Sequence, residues 1–287
     1  MNQDRSNALR LAVPNKGRLA DPAIQLLRDA GLEINVSPAA LTASASNYNL
    51  ELLFVRAEDV PEYVADGLVD GGITGIDLVA ERAPQLEAML ELGFGACALT
   101  LAVPRTASAR EAGDLAGCRV ATSFPRLTGA YFEERNIPVQ IVEVRGAVEV
   151  TPQLGAADAV VDLVATGSTL RLNGLRPIDK LLESQAVLVA RAGLPDDRWA
   201  SLSGMLRSVI DARGKEYMMM NAPAASLDLI RELIPGLSGP TVMPLADPSM
   251  IAVHSVVERA TLWRLIPALK TAGARDILVV PIEKVVR

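Results

Sequence analysis

Apolar positions along the chain fall into two recurring patterns, short continuous or alternating runs and stretches with apolar residues every three or four positions. The first reads as strand and the second as amphipathic helix. LRLAVP at residues 9–14 is a first strand. Residues 19–30 then place Leu19, Ala23, Leu26, Leu27 and Ala30 on one helical face, with Gly31 as the stop signal. The chain continues strand-like at 50–56, helical at 58–68, strand-like at 71–74 and helical at 76–82. This β/α alternation predicts a parallel sheet covered by helices.

A second unit starts with the strand-like CALTLAVP at 97–104 and repeats the alternation through RVATS, YFEERN, VQIVEV and AVVDLV, ending near Leu181. The apolar run AVLVARAGL (186–194) reads as a return strand into the first unit. The expectation is two α/β lobes, 1–96 plus 182–210 and 97–181, joined by crossing segments around a cleft of the kind that binds ligands. From Lys215 the order changes to strand KEYMMMN, helix AASLDLIREL, strands TVMPLA and MIAVHSVVE, helix ATLWRLIPALKTAG and strand DILVVPIEKVV. That βαββαβ order predicts a ferredoxin-like domain over 215–287, with the polar residues 211–214 as its linker.

Composition narrows the chemistry. A chain of 287 residues exceeds the usual reach of one core, and half of it is hydrophobic with only 3% aromatic, so Ala, Val, Leu and Ile must fill the interior. The net charge of −6 creates no global positive field for nucleic acid or an anionic membrane, so an anionic ligand requires a local basic pocket. The opening MNQDRSNALR has no apolar signal core, and no later run approaches the length of a membrane span, which predicts a soluble cytoplasmic protein. A single histidine, His254, excludes multi-histidine metal sites and leaves little room for a Ser-His-Asp triad. Cys97 and Cys118 lie outside any metal-ligand spacing and read as small buried residues.

The most informative stretch is DAVVDLVATGSTL (158–170), a strand ending in a Thr-Gly-Ser-Thr turn that opens a helix. Backbone N–H groups, the Thr166, Ser168 and Thr169 hydroxyls and the helix dipole can converge there on a phosphate, and Gly167 permits close approach. Side-chain alternation puts Asp158 and Asp162 on one face, Asp162 nearer the turn, where a carboxylate can accept ribose hydroxyls. An ordinary helix start capped by Ser or Thr is the alternative for such a turn seen alone.

The surrounding segment, EVTPQLGAADAVVDLVATGSTL (149–170), resembles the phosphoribosyl pyrophosphate (PRPP) signature of the ATP phosphoribosyltransferases. VPNKGRL (13–19), LLFVRAEDVPEYVADGLVDGGITGIDLV (52–79) and SFPRLTGAYF (123–132) are similar to further blocks of that family in order, and PGLSGPTVMPLADP (235–248) resembles the regulatory domain of its long type. The resemblance spans essentially the whole chain. It implies a two-lobed, periplasmic-binding-protein-like catalytic part, with ATP joined through adenine N1 to PRPP at the entry to histidine biosynthesis. By position it assigns Lys16, Arg18 and Arg56 to the triphosphate and pyrophosphate, and Glu149, Asp158, Asp162, Ala165, Thr166, Gly167, Ser168 and Thr169 to PRPP. Asp70, Thr74 and Gly75 fall to ATP, and Asn221, Leu237, Thr241, Val256 and Asp276 to histidine as feedback inhibitor. Asp276 departs from the small residue expected there. The resemblance further implies Mg²⁺ carried mainly by substrate phosphates, with few direct protein ligands, and a homo-oligomer of dimers forming a hexamer. Two readings compete: a two-lobed small-molecule-binding protein without catalysis, and a phosphoribosyltransferase acting on another base.

Overall fold

The structure is a computed structural model that describes residues 8–37, 40–191, 193, 197–234, 236–237 and 239–286. Parts of the runs read at 186–194 and 235–248 (Ala192, Leu194, Pro235 and Ser238) lie outside the described residues. The chain divides into two compact units, Met1–Ser203 and Gly204–Arg287.

In the first unit the elements follow in order β1 (Leu9–Pro14), α1 (Ala20–Asp29), β2 (Thr42–Ser44), β3 (Leu50–Val55), α2 (Val60–Ala65), β4 (Gly71–Gly75), α3 (Ile76–Arg82) and β5 (Ala88–Glu91). Then come β6 (Cys97–Pro104), β7 (Arg119–Thr122), α4 (Pro125–Glu134), β8 (Gln140–Glu143), β9 (Ala159–Val164), α5 (Ser168–Leu172), β10 (Leu175–Ser184) and β11 (Ala186–Ala190). The helix α6 (Asp197–Ala212) runs across the division between units. Residues 211–214, polar enough to read as a linker, therefore begin inside a helix, whose apolar stripe continues through buried Val209 and Ala212.

Two sheets build this unit, one in the order β2-β3-β1-β4-β11-β5 and one in the order β10-β6-β9-β7-β8. β1 runs parallel to β3 and β4 with Pro14 opposite Val55 and Ala12 opposite Gly72, so the three carboxyl ends emerge side by side. In the second sheet β7, β8 and β9 are parallel, β6 runs against them, and β10, antiparallel to β6, returns to their direction. The apolar runs fill separate cores, Val60, Val64, Val79, Val187 and Val189 in the first sheet's half and Leu99, Leu101, Val120, Phe132 and Val161 in the second's. Both sheets have helix-covered faces, which explains why their central strands read as continuous apolar runs.

β10 is the largest departure from the sequence expectation. Its LRPIDKLLES pairs along β6, but register shifts at Pro177/Asp179 and at Lys180/Leu182 interrupt the period of two, and no alternation survives to be read.

The second unit holds β12 (Lys215–Pro223), α7 (Leu227–Leu233), β13 (Thr241–Pro244), β14 (Met250–Glu258), α8 (Leu262–Thr271) and β15 (Arg275–Pro281) in the predicted βαββαβ order. Its antiparallel sheet runs β13-β14-β12-β15, and Met218, Met220, Val253, Leu265 and Leu269 form its core on the helix-covered face.

Candidate functional site

The carboxyl ends of parallel strands are where α/β sheets bind ligands, because helix starts and loops open there. Lys16 and Arg18 follow β1, Arg56 follows β3, and Thr74 and Gly75 end β4, so the register gathers all five on one edge of the first sheet. Lys16, Arg18 and Arg56 are exposed, and Arg56 pairs loosely with Glu58 at 3.4 Å. Thr74 is fully buried and its hydroxyl donates to the Ala57 carbonyl at 2.8 Å, so it braces the loop after β3 and presents no side chain to a ligand. At Gly75 a Cβ would stand 2.2 Å from Asp77 Oδ1, which leaves only glycine for this position.

Arg18 is the residue that reaches the second sheet. Its Nη2 donates to Cys97 Sγ at 2.8 Å, and it lines a cavity of about 310 Å³ together with Asp162, Ala165, Thr166, Gly167 and Thr169. The predicted turn follows β9, and Gly167 there takes φ +72°, a left-handed conformation that glycine adopts without strain. The Thr166 and Ser168 hydroxyls are 2.9 Å apart, and Thr166, Ser168 and Thr169 are exposed to solvent. Because α5 has only five residues, its dipole is small, and the turn's hydroxyls and N–H groups are the principal donors.

Asp162 accepts the Leu163 N–H at 2.8 Å, and its carboxyl is pushed up to about 6, first by burial and further by the neighbouring charge of Glu149. Glu149 sits on a short 3₁₀ turn after β8, near enough for its charge to act on Asp162. Asp158 does not join them. It precedes β9, where the Arg119 backbone N–H donates to it at 2.8 Å and the Arg119 guanidinium pairs with it at 3.1 Å, holding its carboxyl below the usual range. Alternation puts the two on one face, but four residues along a strand separate them by roughly 13 Å, which leaves Asp158 at the end away from the turn. Asp70 departs in the same way. Lying just before β4, it accepts the Arg10 N–H at 2.9 Å and pairs with Arg191 at 3.5 Å, at the amino ends of the strands and away from the cations.

A larger cleft of about 1110 Å³ opens beside the turn, lined by Ile76 from the first sheet's half and by Cys97, Thr166, Gly167, Arg171, Asp179 and Lys180 among others. Arg171, missed in the sequence reading, donates to the Thr166 carbonyl at 3.4 Å and brings a second cation to the turn beside Arg18. The signal was present, since four residues after Gly167 is one turn further along the helix it opens. Tyr131 is buried in the second core and its hydroxyl donates to Asp179, with its pKa pushed up to about 12 by burial and by that carboxylate. Both cysteines are half-buried and not enclosed, because Cys97 starts β6 at the cleft and Cys118 precedes β7. Among the described residues no group of three His, Cys, Asp or Glu side chains converges to cage a metal.

In the C-terminal unit, Leu237 and Val256 line one cavity of about 430 Å³. Asn221 lies elsewhere, its Nδ2 donating to Asp276 at 3.1 Å, and Thr241 pairs with His254 across β13 and β14. Asp276 holds φ +52°, an uncommon conformation for a residue with a side chain.

The comparisons with known proteins agree over nearly the whole chain. The family model described as ATP phosphoribosyltransferase matches residues 56–209, and that described as the HisG C-terminal domain matches residues 212–284. The ATP phosphoribosyltransferase of Natronomonas pharaonis is 47% identical over 97% of this chain and 100% of its own. Among solved structures, the ATP phosphoribosyl transferase (HisG:HisZ) complex from Thermotoga maritima contains a chain 27% identical, with a TM-score of 0.61, covering 69% of this chain and 96% of that one. A putative L-cystine ABC transporter protein from Listeria monocytogenes shares the fold at a TM-score of 0.50 and 16% identity, over 71% of this chain and 90% of that one.

Proposed function

The chain belongs to the ATP phosphoribosyltransferase family in its long form and performs the first step of histidine biosynthesis, and from that premise we propose how its residues divide the work. The observation that carries the proposal is the placing of Arg18, from the first sheet's loop, in one cavity with Asp162 and the Thr166–Thr169 turn of the second sheet. Two polyanionic substrates need cations that converge from separate elements, and a chain of net charge −6 supplies them only locally.

In this reading the turn holds the 5′-phosphate of PRPP through its N–H groups and hydroxyls, and Asp162 and Glu149 accept the ribose hydroxyls. Adenine N1 of ATP attacks the anomeric carbon. The N–C bond forms as the C–O bond to pyrophosphate breaks, so no protein nucleophile is required. Positive charge gathers on the ribose ring and negative charge on the departing pyrophosphate, and orientation with electrostatic stabilisation supplies the rate. Lys16, Arg18, Arg56 and Arg171 neutralise the phosphates. Mg²⁺ would ride mainly on the substrate phosphates and would neutralise pyrophosphate charge, and Asp162 and Glu149 are the hard oxygen groups here that would suit it. Asp70 and Asp158, being engaged at strand starts, anchor the fold.

Residues 1–96 with 182–210 and residues 97–181 act as the two catalytic lobes, and residues 215–287 as a regulatory domain that binds histidine. The active assembly is a homohexamer of dimers in the cytoplasm, as symmetric homo-oligomers are the rule for soluble enzymes. No helix among the described residues is long and apolar enough to cross a membrane. The direct test is to mix the protein with Mg²⁺, ATP and PRPP and follow the absorbing product and pyrophosphate. Absence of phosphoribosyl-ATP, with pyrophosphate released from PRPP only when a different base replaces ATP, would overturn the reading in favour of another base.

A further inference from the structure

The helix α3 belongs to the first sheet by connection, since it follows β4 directly and buries Val79 in that sheet's core. Arg82 also bonds Glu62 of α2 at 3.0 Å, yet much of the helix engages the second sheet's half. Leu78 packs against the second core, Asp77 N–H donates to Ser184 Oγ at 3.2 Å at the end of β10, and Ile76 N–H donates to the Gln185 carbonyl at 3.0 Å. The strongest link is Glu81. Its two carboxylate oxygens accept the Arg126 and Leu127 backbone N–H groups, each at 2.9 Å, and its carbonyl accepts Arg126 Nε at 2.9 Å.

Those two N–H groups open α4. A helix leaves its first N–H groups without intrahelical partners, and here Pro125 has none to satisfy while the Thr128 N–H already reaches the Phe124 carbonyl. Phe124, at the cap position, offers no side-chain acceptor. The cap of α4 is thus supplied from 45 positions upstream, by a residue on the other sheet's half. A carboxylate at a helix start also gains from the dipole.

We infer that α3 is a strut that fixes the angle between the two sheets and that Glu81 is a positioning residue for phosphoribosyl transfer. The inference rests on the reading above that Lys16 and Arg56 on one sheet and the Thr166–Thr169 turn on the other serve one reaction. Reacting groups held on separate halves must be aligned, and a misplacement of about 1 Å can cost 10²-fold in rate. A clasp of three hydrogen bonds plus a half-buried leucine presets that alignment, so the cleft does not depend on ligand to bring its halves together.

The test combines hydrogen exchange with kinetics on Glu81→Ala and the near-isosteric Glu81→Gln. In Glu81→Ala the Arg126 and Leu127 amides exchange at least about tenfold faster, because nothing else protects them. Turnover falls about tenfold, whereas ATP alone and PRPP alone bind within about threefold of wild type, since each site's own contacts survive. Glu81→Gln, which keeps one acceptor oxygen, lies between the two. Turnover within twofold of wild type despite fast amide exchange would overturn the inference, as would unchanged exchange in both variants. Equal loss of both affinities with turnover would also overturn it, marking Glu81 as a general stabiliser. A wild-type protein that makes no phosphoribosyl-ATP but shows the same exchange contrast would sink the functional reading and leave the clasp standing.

Discussion

Arg18 and Cys97 meet at 2.8 Å, guanidinium Nη2 to Sγ, although they are 79 positions apart and belong to different sheets. The thiol gives the long side chain a fixed acceptor, so the cation is held facing the Thr166–Thr169 turn before any ligand arrives. Preorganisation of this kind lowers the entropy lost when a phosphate binds.

Removing that cation has a definite expected cost. Charge-assisted hydrogen bonds to phosphate contribute about 1.5 to 3 kcal/mol, so Arg18→Ala loses at least roughly tenfold in kcat/KM for PRPP. Lys16→Ala and Arg56→Ala lose a similar factor in turnover. Cys97→Ala, which frees Arg18 without removing it, loses a smaller factor. Initial rates against each substrate check this, and wild-type kinetics in Arg18→Ala would remove the residue from the site.

The carboxyl of Asp162, pushed up to about 6 by burial and by Glu149, predicts an acid limb in the turnover profile. Below that pH the group is protonated and no longer accepts ribose hydroxyls. Since Glu149 raises the value, Glu149→Gln moves the limb to lower pH even though turnover falls. The stability consequence has the opposite direction. Between the ordinary 3.8 and about 6 the folded chain binds this proton more tightly than the unfolded chain, so ionising Asp162 costs stability as pH rises through that window. Asp162→Asn is therefore inactive yet melts no lower than wild type at neutral pH. A profile flat from pH 5 to 8, or a clear loss of Tm in Asp162→Asn, would contradict the assignment.

Much of this arrangement was legible in the chain because it is local. The strands Cys97–Pro104 and Met250–Glu258 and the helix Ile76–Arg82 have the bounds that their apolar patterns predict. The Thr166–Thr169 turn was readable for the same reason, its donors being contiguous. What failed was long-range or end-dependent. The distance of Asp158 from the turn was readable but its commitment to Arg119 was not, and Thr74 looked available although Ala57 accepts its hydroxyl. Glu81 could not have been found, because nothing in a helix of seven residues announces that its acid caps another helix far along the chain.

The misplaced aspartate supplies its own control. Asp158 is committed to Arg119 through one backbone and two side-chain hydrogen bonds, and its lowered pKa follows from them. Asp158→Asn should thus lower Tm modestly and leave the KM for PRPP within about twofold, because surface pairs contribute little individually and none of it to the ligand. Asp162→Asn reverses the pattern. If Asp158→Asn weakened PRPP as strongly as Asp162→Asn does, the division of labour between the two acids would be wrong.

The proposed inhibition by histidine would require the C-terminal unit to open one internal hydrogen bond. Asn221 Nδ2 donates to Asp276, and Asp276 sits at φ +52°, so the pair occupies the polar groups that the end product would use. A ligand ammonium can join Asp276 favourably, but a ligand carboxylate beside the same group is repelled, and both require Asn221 to turn away. Asp276→Gly removes the repulsion, frees Asn221 and relieves the left-handed backbone, which glycine adopts at no steric cost. The expected order of sensitivity in an activity titration with histidine is therefore Asp276→Gly above wild type, and wild type above Asn221→Ala. Because coupling between sites is reciprocal, ATP and PRPP together should weaken histidine binding by the factor with which histidine weakens theirs. Absence of inhibition at millimolar histidine in both wild type and Asp276→Gly would reject regulation through this unit, while pyrophosphate release with phosphoribosyl-ATP would continue to identify the transferase.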